Sequence, residues 1–252
     1  MIVPGPYPIC EFDADGEPLI KPGDFLTKTL PPKCVVTFFR KELTQLVEQK
    51  ELPVIGQLHS EVLDIPIYRY SDEVCITMPF STAPGAACTI EELHAMGCQQ
   101  FLICGAAGAL EPGSAVGEIV VPLSAVRDEG TSYHYLAPSR EVECQPAAAQ
   151  AVLAELKRMG IPHRTGKTWT TDALYRETPA LVAKRRGEGC ITVEMETAAF
   201  FAVSRYYNLP LVQLLYAGDD VSGAQWMPRD WDRQQNVRAN LIAAALKLAE
   251  KL

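Results

Sequence analysis

The chain has 252 residues, 48% of them hydrophobic, which suits one large α/β domain or two small ones with a substantial core. Its net charge of −8, from 31 acidic and 23 basic residues, disfavours a general surface for nucleic acid or for an anionic membrane. There is no run of 18 apolar residues, and the first ten residues lack a signal-peptide pattern, so we expect neither a membrane span nor export.

The eight cysteines contain no C-x-x-C pair, and the four histidines show no ligand spacing. The sequence therefore predicts no metal site. Cys34, Cys75 and Cys104 lie in apolar, strand-like runs, where a thiol behaves as a small hydrophobic group. We expect reduced thiols and a cytoplasmic enzyme.

Residues 1–32 are rich in Pro, Gly and Asp and predict an extended N-terminal arm, with a strand near 18–21. From residue 33 onwards, apolar runs alternate with amphipathic segments. The expected strands are 33–39, 61–70, 72–80, 99–104, 117–128, 163–172 and 209–220. The expected helices are 40–49, 89–96, 146–159, 178–187, 197–208 and 230–252.

This alternation predicts the α/β class, with a mixed or mostly parallel central sheet covered by helices on both faces. Gly97 and Gly160 follow two of the helices, in the position where a glycine commonly ends a helix. No linker, low-complexity segment or repeat divides the chain. We therefore predict an arm over 1–32 and one domain over 33–252.

The segment ITVEMETAAFF, residues 191–201, carries two acids on either side of Met195. In an extended segment, Glu194 and Glu196 lie on one face and Met195 lies on the other. Two carboxylates beside an apolar thioether suit a sugar, whose hydroxyls donate to carboxylates and whose other face is apolar. The alternative is that both acids begin a helix, where its dipole favours negative charge.

Three further segments stand where strands should end, the edge at which open α/β sheets bind ligands. GAAG at 105–108 predicts a turn that lets a ligand approach the backbone, or a turn needed only for packing. TTDALY at 170–175 offers a wall for a flat base, or a helix cap at Asp172. GDD at 218–220 offers a general acid, or solvated aspartates in a turn.

Taken in order, EELHAMG, FLICGAAGAL, GEIVVPLSAVRDEGTSYHY, TTDALY, VEMETAA and LLYAGDD resemble the nucleoside phosphorylase superfamily from about residue 33 to the end. That superfamily includes purine nucleoside phosphorylases, uridine phosphorylases and methylthioadenosine nucleosidases. The resemblance implies a phosphorylase/hydrolase-like fold with a partly closed, barrel-like sheet. It also implies a small-molecule nucleoside substrate, no cofactor other than phosphate as a possible co-substrate, and a homo-oligomer, either a dimer or a hexamer.

The resemblance also implies residue roles. Glu196 corresponds to the glutamate that holds the ribose hydroxyls, Met195 to the methionine that packs on the sugar, and Glu194 to the preceding acid, which contacts sugar or base. Asp219 corresponds to the acid that protonates N7 of a purine, and Arg233 lies near the arginine that supports it, or on a solvated helix face. The glutamine–arginine pair of uridine phosphorylases is not evident after TTDALY, so the pocket looks purine-like.

The anion-binding residues of phosphorylases are the main departure. The family's G-D-P-x-R turn is replaced by TFFR at 37–40, and the positions of an arginine and of a hydroxyl are occupied by Ile103 and Ala106. Losing several charge-assisted hydrogen bonds, each worth roughly 1.5–3 kcal/mol, would abolish ordinary phosphate affinity. Arg40, His59, Ser81 and Thr82 either rebuild a phosphate site or line a pocket that admits water, and Arg40 has the further alternative of only starting a helix.

The leading hypothesis is a nucleoside phosphorylase-like pentosyltransferase that cleaves the N-glycosidic bond of a purine nucleoside, with a divergent phosphate pocket. The alternatives are a nucleosidase that uses water and a non-catalytic nucleoside-binding protein. The expected catalytic residues are Asp219, Glu196 and Arg233. The expected substrate-binding residues are Glu194, Met195, Gly105, Ala106, Ala107, Leu174, Tyr175, Ser81 and Thr82, and the phosphate candidates are Arg40 and His59.

Overall fold

A ten-stranded mixed sheet organises the chain in a computed structural model that describes residues 2–252. The strands are β1 (Ile2–Val3), β2 (Phe12–Asp13), β3 (Lys33–Thr37), β4 (Val54–His59), β5 (Asp64–Arg69), β6 (Val74–Thr77), β7 (Gln100–Ala109), β8 (Ile119–Asp128), β9 (Glu141–Glu143), β10 (Arg164–Thr171), β11 (Cys190–Glu194) and β12 (Leu211–Asp220). The helices are α1 (Arg40–Lys50), α2 (Thr82–Ala95), α3 (Pro146–Arg158), α4 (Pro179–Gly187), α5 (Thr197–Tyr206) and α6 (Gln235–Lys251).

Five strands close into a barrel, in the order β7, β12, β8, β10, β11, with β11 pairing back onto β7. The sheet continues outward from β7 through β3, β6, β5 and β4, and β9 pairs with β8. Strands β3, β6, β7 and β12 are parallel, whereas β8 and β12 are antiparallel. The predicted α/β class, with a mixed, partly closed sheet and helices on both faces, is confirmed.

The core follows from the apolar strands. Nearly every residue of β12 is buried, as are those of β6, because helices cover the sheet. Helix α5 is buried along eight consecutive residues, from Thr197 to Ser204. A helix buried at its N-terminus cannot leave its first amides to water, so protein groups must accept from them.

The sequence missed or misplaced several elements. Strand β4 was not predicted, because five of its six residues are exposed or half-buried and show no clear alternation. GAAG is not a turn, since β7 continues through Ala109 and pairs there with β12 and β11. Helix α2 begins at Thr82, seven residues before the predicted start.

Two further differences concern the ends of the chain. Helix α6 begins at Gln235 rather than at residue 230, because Arg229 and Asp230 adopt left-handed backbone angles, with φ of 49° and 51°. Among the described residues, no strand forms near 18–21, where one turn of helix spans Pro22–Asp24 instead. The rest of the arm forms the small β1–β2 pair, and the boundary at residue 32 stays a prediction.

Within residues 2–252, no helix is both long enough and apolar enough to cross a bilayer.

Candidate active site

A cavity of about 810 Å³ opens where β3 ends and α1 begins. Its volume lies in the range of small-molecule sites. Its wall combines the first turn of α1, the middle of β7 and the start of α6, and Gly105, Ala106, Glu196 and Gln213 contribute to it. The structure therefore brings together four predicted site residues from three distant segments: Arg40, Gly105, Ala106 and Glu196.

Glu196 lies between β11 and α5, half-buried, and its Oε1 accepts a hydrogen bond from the backbone amide of Thr82 at 2.9 Å. Thr82 has a φ of 69°, which is rare for a β-branched residue and marks local backbone strain. Burial, followed by the nearby Glu194, raises the pKa of Glu196 to about 8. At neutral pH its carboxyl group can therefore both donate to and accept from sugar hydroxyls.

Glu194 is bound by the protein itself. Its Oε2 accepts from the amides of Glu196 and Thr197, at 2.7 and 2.6 Å, and its Oε1 accepts from the Thr170 hydroxyl at 2.6 Å. These contacts satisfy the first amides of the buried helix α5, as the helix-start alternative anticipated. Burial raises the pKa of Glu194 above its ordinary value, although the three hydrogen bonds oppose that shift. The geometry gives this residue a structural task.

The same network positions the start of α5 through hydroxyl groups. The Thr170 Oγ1 also accepts from the amide of Ala198 at 2.9 Å. The Thr197 hydroxyl donates to Gln213 Oε1, at 2.7 Å, on β12. Glu196 therefore projects into the cavity from a backbone that is tied to both neighbouring strands.

Glu42, in the first turn of α1, is the functional candidate that sequence reasoning missed. Its side chain lines the same cavity as Glu196 and is only 4% exposed. Among the described residues, neither of its carboxylate oxygens has a hydrogen-bond partner. The available signal was an acid just after the first strand of the domain, but its neighbours Arg40 and Lys41 made it look like part of a solvated helix start.

Asp219 lies near the end of β12, outside the set of described residues that line this cavity. Its Oδ2 accepts a hydrogen bond from the Trp226 indole at 2.6 Å. Its Oδ1 packs over Gly108, so that a Cβ added at this glycine would lie 3.5 Å from that oxygen. Glu177 faces it, and burial followed by repulsion from Asp219 raises the pKa of Glu177 to about 7. Asp219, Glu177 and the Trp226 indole thus form a polar group that is separate from the residues lining the cavity, and we call this group the polar end.

A different arginine from the predicted one supports this strand end. Arg229 donates to the carbonyls of Gly218, Asp219 and Ser114, at 2.7–2.9 Å. Arg233 is 78% exposed, and its guanidinium lies 3.9 Å from Asp230. The structure therefore places Arg233 on a solvated surface, which was the alternative kept for it.

The predicted phosphate groups do not converge. Arg40 is exposed at the mouth of the cavity, next to Lys41. His59 ends β4, exposed, and its Nδ1 pairs with Asp64 Oδ1 at 2.6 Å, a contact that raises the pKa of His59. Arg238 also lines the cavity, but it donates to the Tyr216 hydroxyl and to the carbonyl of Trp231.

The other predicted contacts are spread over the surface and the core. Ser81 and Thr82 are exposed at the start of α2, and Ala107 is buried in β7. Met195 is half-buried beside Glu196. Leu174 and Tyr175, the predicted wall for a base, are 49% and 95% exposed.

Two curated relatives match part of the chain. A uridine phosphorylase of Thermococcus kodakarensis is 26% identical over 64% of this chain and 66% of its own length. A guanosine phosphorylase of Halorubrum lacusprofundi is 33% identical over 50% of this chain and 52% of its own length. The chain thus matches about half to two thirds of the length of these proteins.

Solved structures match more of the chain at lower identity. Uridine phosphorylase from Vibrio fischeri ES114 superposes with a TM-score of 0.72 at 19% identity, over 91% of this chain and 95% of that one. The 5'-methylthioadenosine/S-adenosyl homocysteine nucleosidase of Campylobacter jejuni gives 0.71 at 21% identity, over 88% and 100%. At such identities, these likenesses establish the fold. The family model described as "Phosphorylase superfamily" matches residues 32–252, and the chain belongs to that superfamily.

Proposed function

We propose that this chain hydrolyses the N-glycosidic bond of a purine nucleoside, with Glu42 as the general base that activates water. The observation that carries the proposal is the buried Glu42 carboxylate, which has no partner among the described residues and lines the cavity shared with Glu196. Burying a carboxylate without a partner is costly, so such a group calls for an explanation beyond packing. A water molecule that donates to it provides one.

Glu196 is the sugar-binding residue in this proposal. Its carboxyl group meets the ribose hydroxyls while the Thr82 amide fixes one of its oxygens. The Glu42 carboxylate near the sugar favours the positive charge that develops on the ring as the glycosidic bond weakens. Glu194 does not touch substrate and instead holds the start of α5, so that Glu196 keeps its direction.

The reaction balances with these groups. The C–N bond breaks with its electron pair passing to the base, which takes a proton at N7 from Asp219. The water oxygen bonds to the anomeric carbon, and its proton passes to Glu42. Exchange with solvent then restores both carboxyl groups for the next turnover.

Several features favour water over phosphate as the nucleophile. A phosphate dianion at this site would lie beside the unpartnered Glu42 carboxylate and would be repelled by it. Ile103 and Ala106 offer it no charge or hydroxyl. Arg238 already donates to two protein oxygens, and His59 is paired with Asp64.

The preference for a purine rests on the polar end formed by Asp219, Glu177 and Trp226. An acid placed beside N7 would serve a purine, because a pyrimidine has no such nitrogen. Tyr175 and Leu174 are exposed, so they would enclose a base at this end only if a neighbouring subunit packed over them. This supports the prediction of a homo-oligomer.

The test is release of free base from purine and pyrimidine nucleosides, with and without phosphate. We expect purine release at equal rates in both conditions, with free ribose as the sugar product. A requirement for phosphate, with ribose 1-phosphate as product, would show that Arg40 and Lys41 form an anion site and would overturn the proposal. Nucleoside binding without any base release would favour the non-catalytic alternative.

A further inference from the structure

Three cysteine thiols meet at the edge of the sheet where β3, β6 and β7 begin. Cys34 lies in β3, Cys75 is its register partner in β6, and Cys98 lies in the turn before β7. Their sulfur atoms all lie within 4.8 Å of one another, and the Cys75 and Cys98 sulfurs are 3.7 Å apart. Segments distant in sequence therefore build one three-sulfur cluster.

The spacing of the sulfurs matches what a single metal ion needs. Three sulfurs placed about 2.3 Å from a common ion, the length of a zinc–thiolate bond, stand about 4.0 Å apart in a trigonal plane. The Cys75–Cys98 separation of 3.7 Å lies close to that value, and the other two separations are at most 4.8 Å.

The surroundings of the cluster favour a soft, three-coordinate ion. The three cysteines are at most 1% exposed, and within residues 2–252 no fourth His, Cys, Asp or Glu joins the group. Zinc sites in proteins are almost always four-coordinate, whereas Cu(I) is selected by soft sulfur ligands. The nearby oxygens are the backbone carbonyls of Pro31 and Lys33, which accept from Cys98 and Cys75.

The cluster lies close to the protein surface. Gln99 and Glu73 are exposed, and each lies within two residues of a cluster cysteine in the sequence. The cluster also stands apart from the candidate active site, because Cys34 is near the start of β3 and the cavity begins after the end of that strand. The three sulfurs therefore lie near the surface and away from the candidate active site.

We propose that Cys34, Cys75 and Cys98 form a binding site for one Cu(I) ion. Each sulfur that binds as a thiolate releases its proton to solvent, so affinity should rise with pH. The sequence prediction of no metal site rested on spacing along the chain, which does not reveal three cysteines brought together by strand pairing.

The test is an anaerobic titration of the reduced full chain with Cu(I), in competition with a chromophoric Cu(I) chelator. We expect the protein to withdraw one equivalent from the chelator, with thiolate-to-copper charge-transfer absorption. X-ray absorption at the copper edge should show a shell of sulfur atoms only. If the chelator retains all the copper, or if the same protein holds Zn(II) more tightly in a parallel titration, the proposal is overturned.

Substitutions then locate the site. Cys75→Ser and Cys98→Ser should each weaken binding by more than roughly 10-fold, the lower bound for outer-shell changes at metal sites. Cys104→Ser is the matched control, because Cys104 is equally buried in β7 but lies outside the cluster. An equal loss in the control, or unchanged binding in the cluster variants, would contradict the assignment. Circular dichroism of each variant checks that the fold is retained.

Discussion

Glu42 and Glu194 are both buried carboxylates, yet their surroundings differ completely. Glu194 is 7% exposed and accepts from a hydroxyl and two helix amides at 2.6–2.7 Å. Glu42 is 4% exposed and has no hydrogen-bond partner among the described residues. The comparison shows that burial alone does not identify a functional acid. A buried acid whose oxygens are already satisfied serves the fold, whereas one left without donors is available for a ligand.

The largest expected effect is on catalysis and concerns Glu42→Gln. Removing the general base should lower kcat by about 10²- to 10⁴-fold. The free energy of unfolding should change by less than about 0.5 kcal/mol, or rise, because no hydrogen bond is lost. Steady-state base release and denaturant unfolding measure the two quantities. Glu48→Gln, an exposed site on the same helix, is the control and should behave as wild type. Unchanged turnover in Glu42→Gln would remove Glu42 from the mechanism.

The converse change is Glu194→Ala, for which the main effect is on stability. It leaves the amides of Glu196 and Thr197 and the Thr170 hydroxyl without their acceptor, so we expect a loss of about 2–4 kcal/mol in the free energy of unfolding. Denaturant unfolding measures it. A loss below about 0.5 kcal/mol, the range of ordinary surface changes, would contradict the capping role.

A third change, Glu196→Gln, uses pH to extend the comparison to the second acid of the motif. In the folded state the pKa of Glu196 is about 8, whereas its ordinary value is 4.5. The folded state therefore binds more protons than the unfolded state between these pH values, and this residue makes stability fall as pH rises through that window.

Glu196→Gln should remove that contribution. We expect the melting temperature of the variant, relative to that of wild type, to be higher at pH 8 than at pH 4.5. Base release by the variant should fall. Thermal unfolding of both proteins across this pH range measures the difference, and comparing them cancels the contribution of Glu177, which titrates in the same window. Parallel pH profiles would show that Glu196 keeps an ordinary pKa.

The smallest expected effect concerns Arg233→Ala. Arg233 is 78% exposed, so its removal should change stability and base release little, within about 0.5 kcal/mol. Arg229→Ala is the matched comparison and should cost more in both, because Arg229 donates to three backbone carbonyls around Asp219. Equal effects of the two substitutions would contradict the assignment of Arg229 as the positioning arginine.

The fold was predictable where apolar patterns are strong. Strand β12 and helices α3 and α5 were predicted correctly. Burial on all sides, or on one face, gives a sequence a continuous or a periodic run of apolar residues that can be recognised. Strand β4 has no such pattern, since five of its six residues are exposed or half-buried. The GAAG segment predicts a turn because its small residues suit a close approach of a ligand, but in the structure Gly108 permits close packing against Val193 and Asp219 within β7.

The site was predictable as a set of candidate residues, but not in its geometry. The VEME motif indicated two acids. Only the structure shows that Glu194 caps helix α5 while Glu196 lines the cavity. Sequence alone could not choose between Arg229 and Arg233, and only the structure shows that Arg229 donates to backbone carbonyls while Arg233 is exposed. Glu42 carries no motif, and its significance lies in the absence of donors around it.

The measurement that tests the central claim most directly is cleavage of a purine nucleoside in ¹⁸O-labelled water with phosphate also present, followed by mass analysis of the sugar. Both nucleophiles then compete at the same anomeric carbon. If Glu42 activates water, the product is free ribose carrying one ¹⁸O from the attacking water. Ribose 1-phosphate without the label would contradict the account and assign the cavity to phosphate.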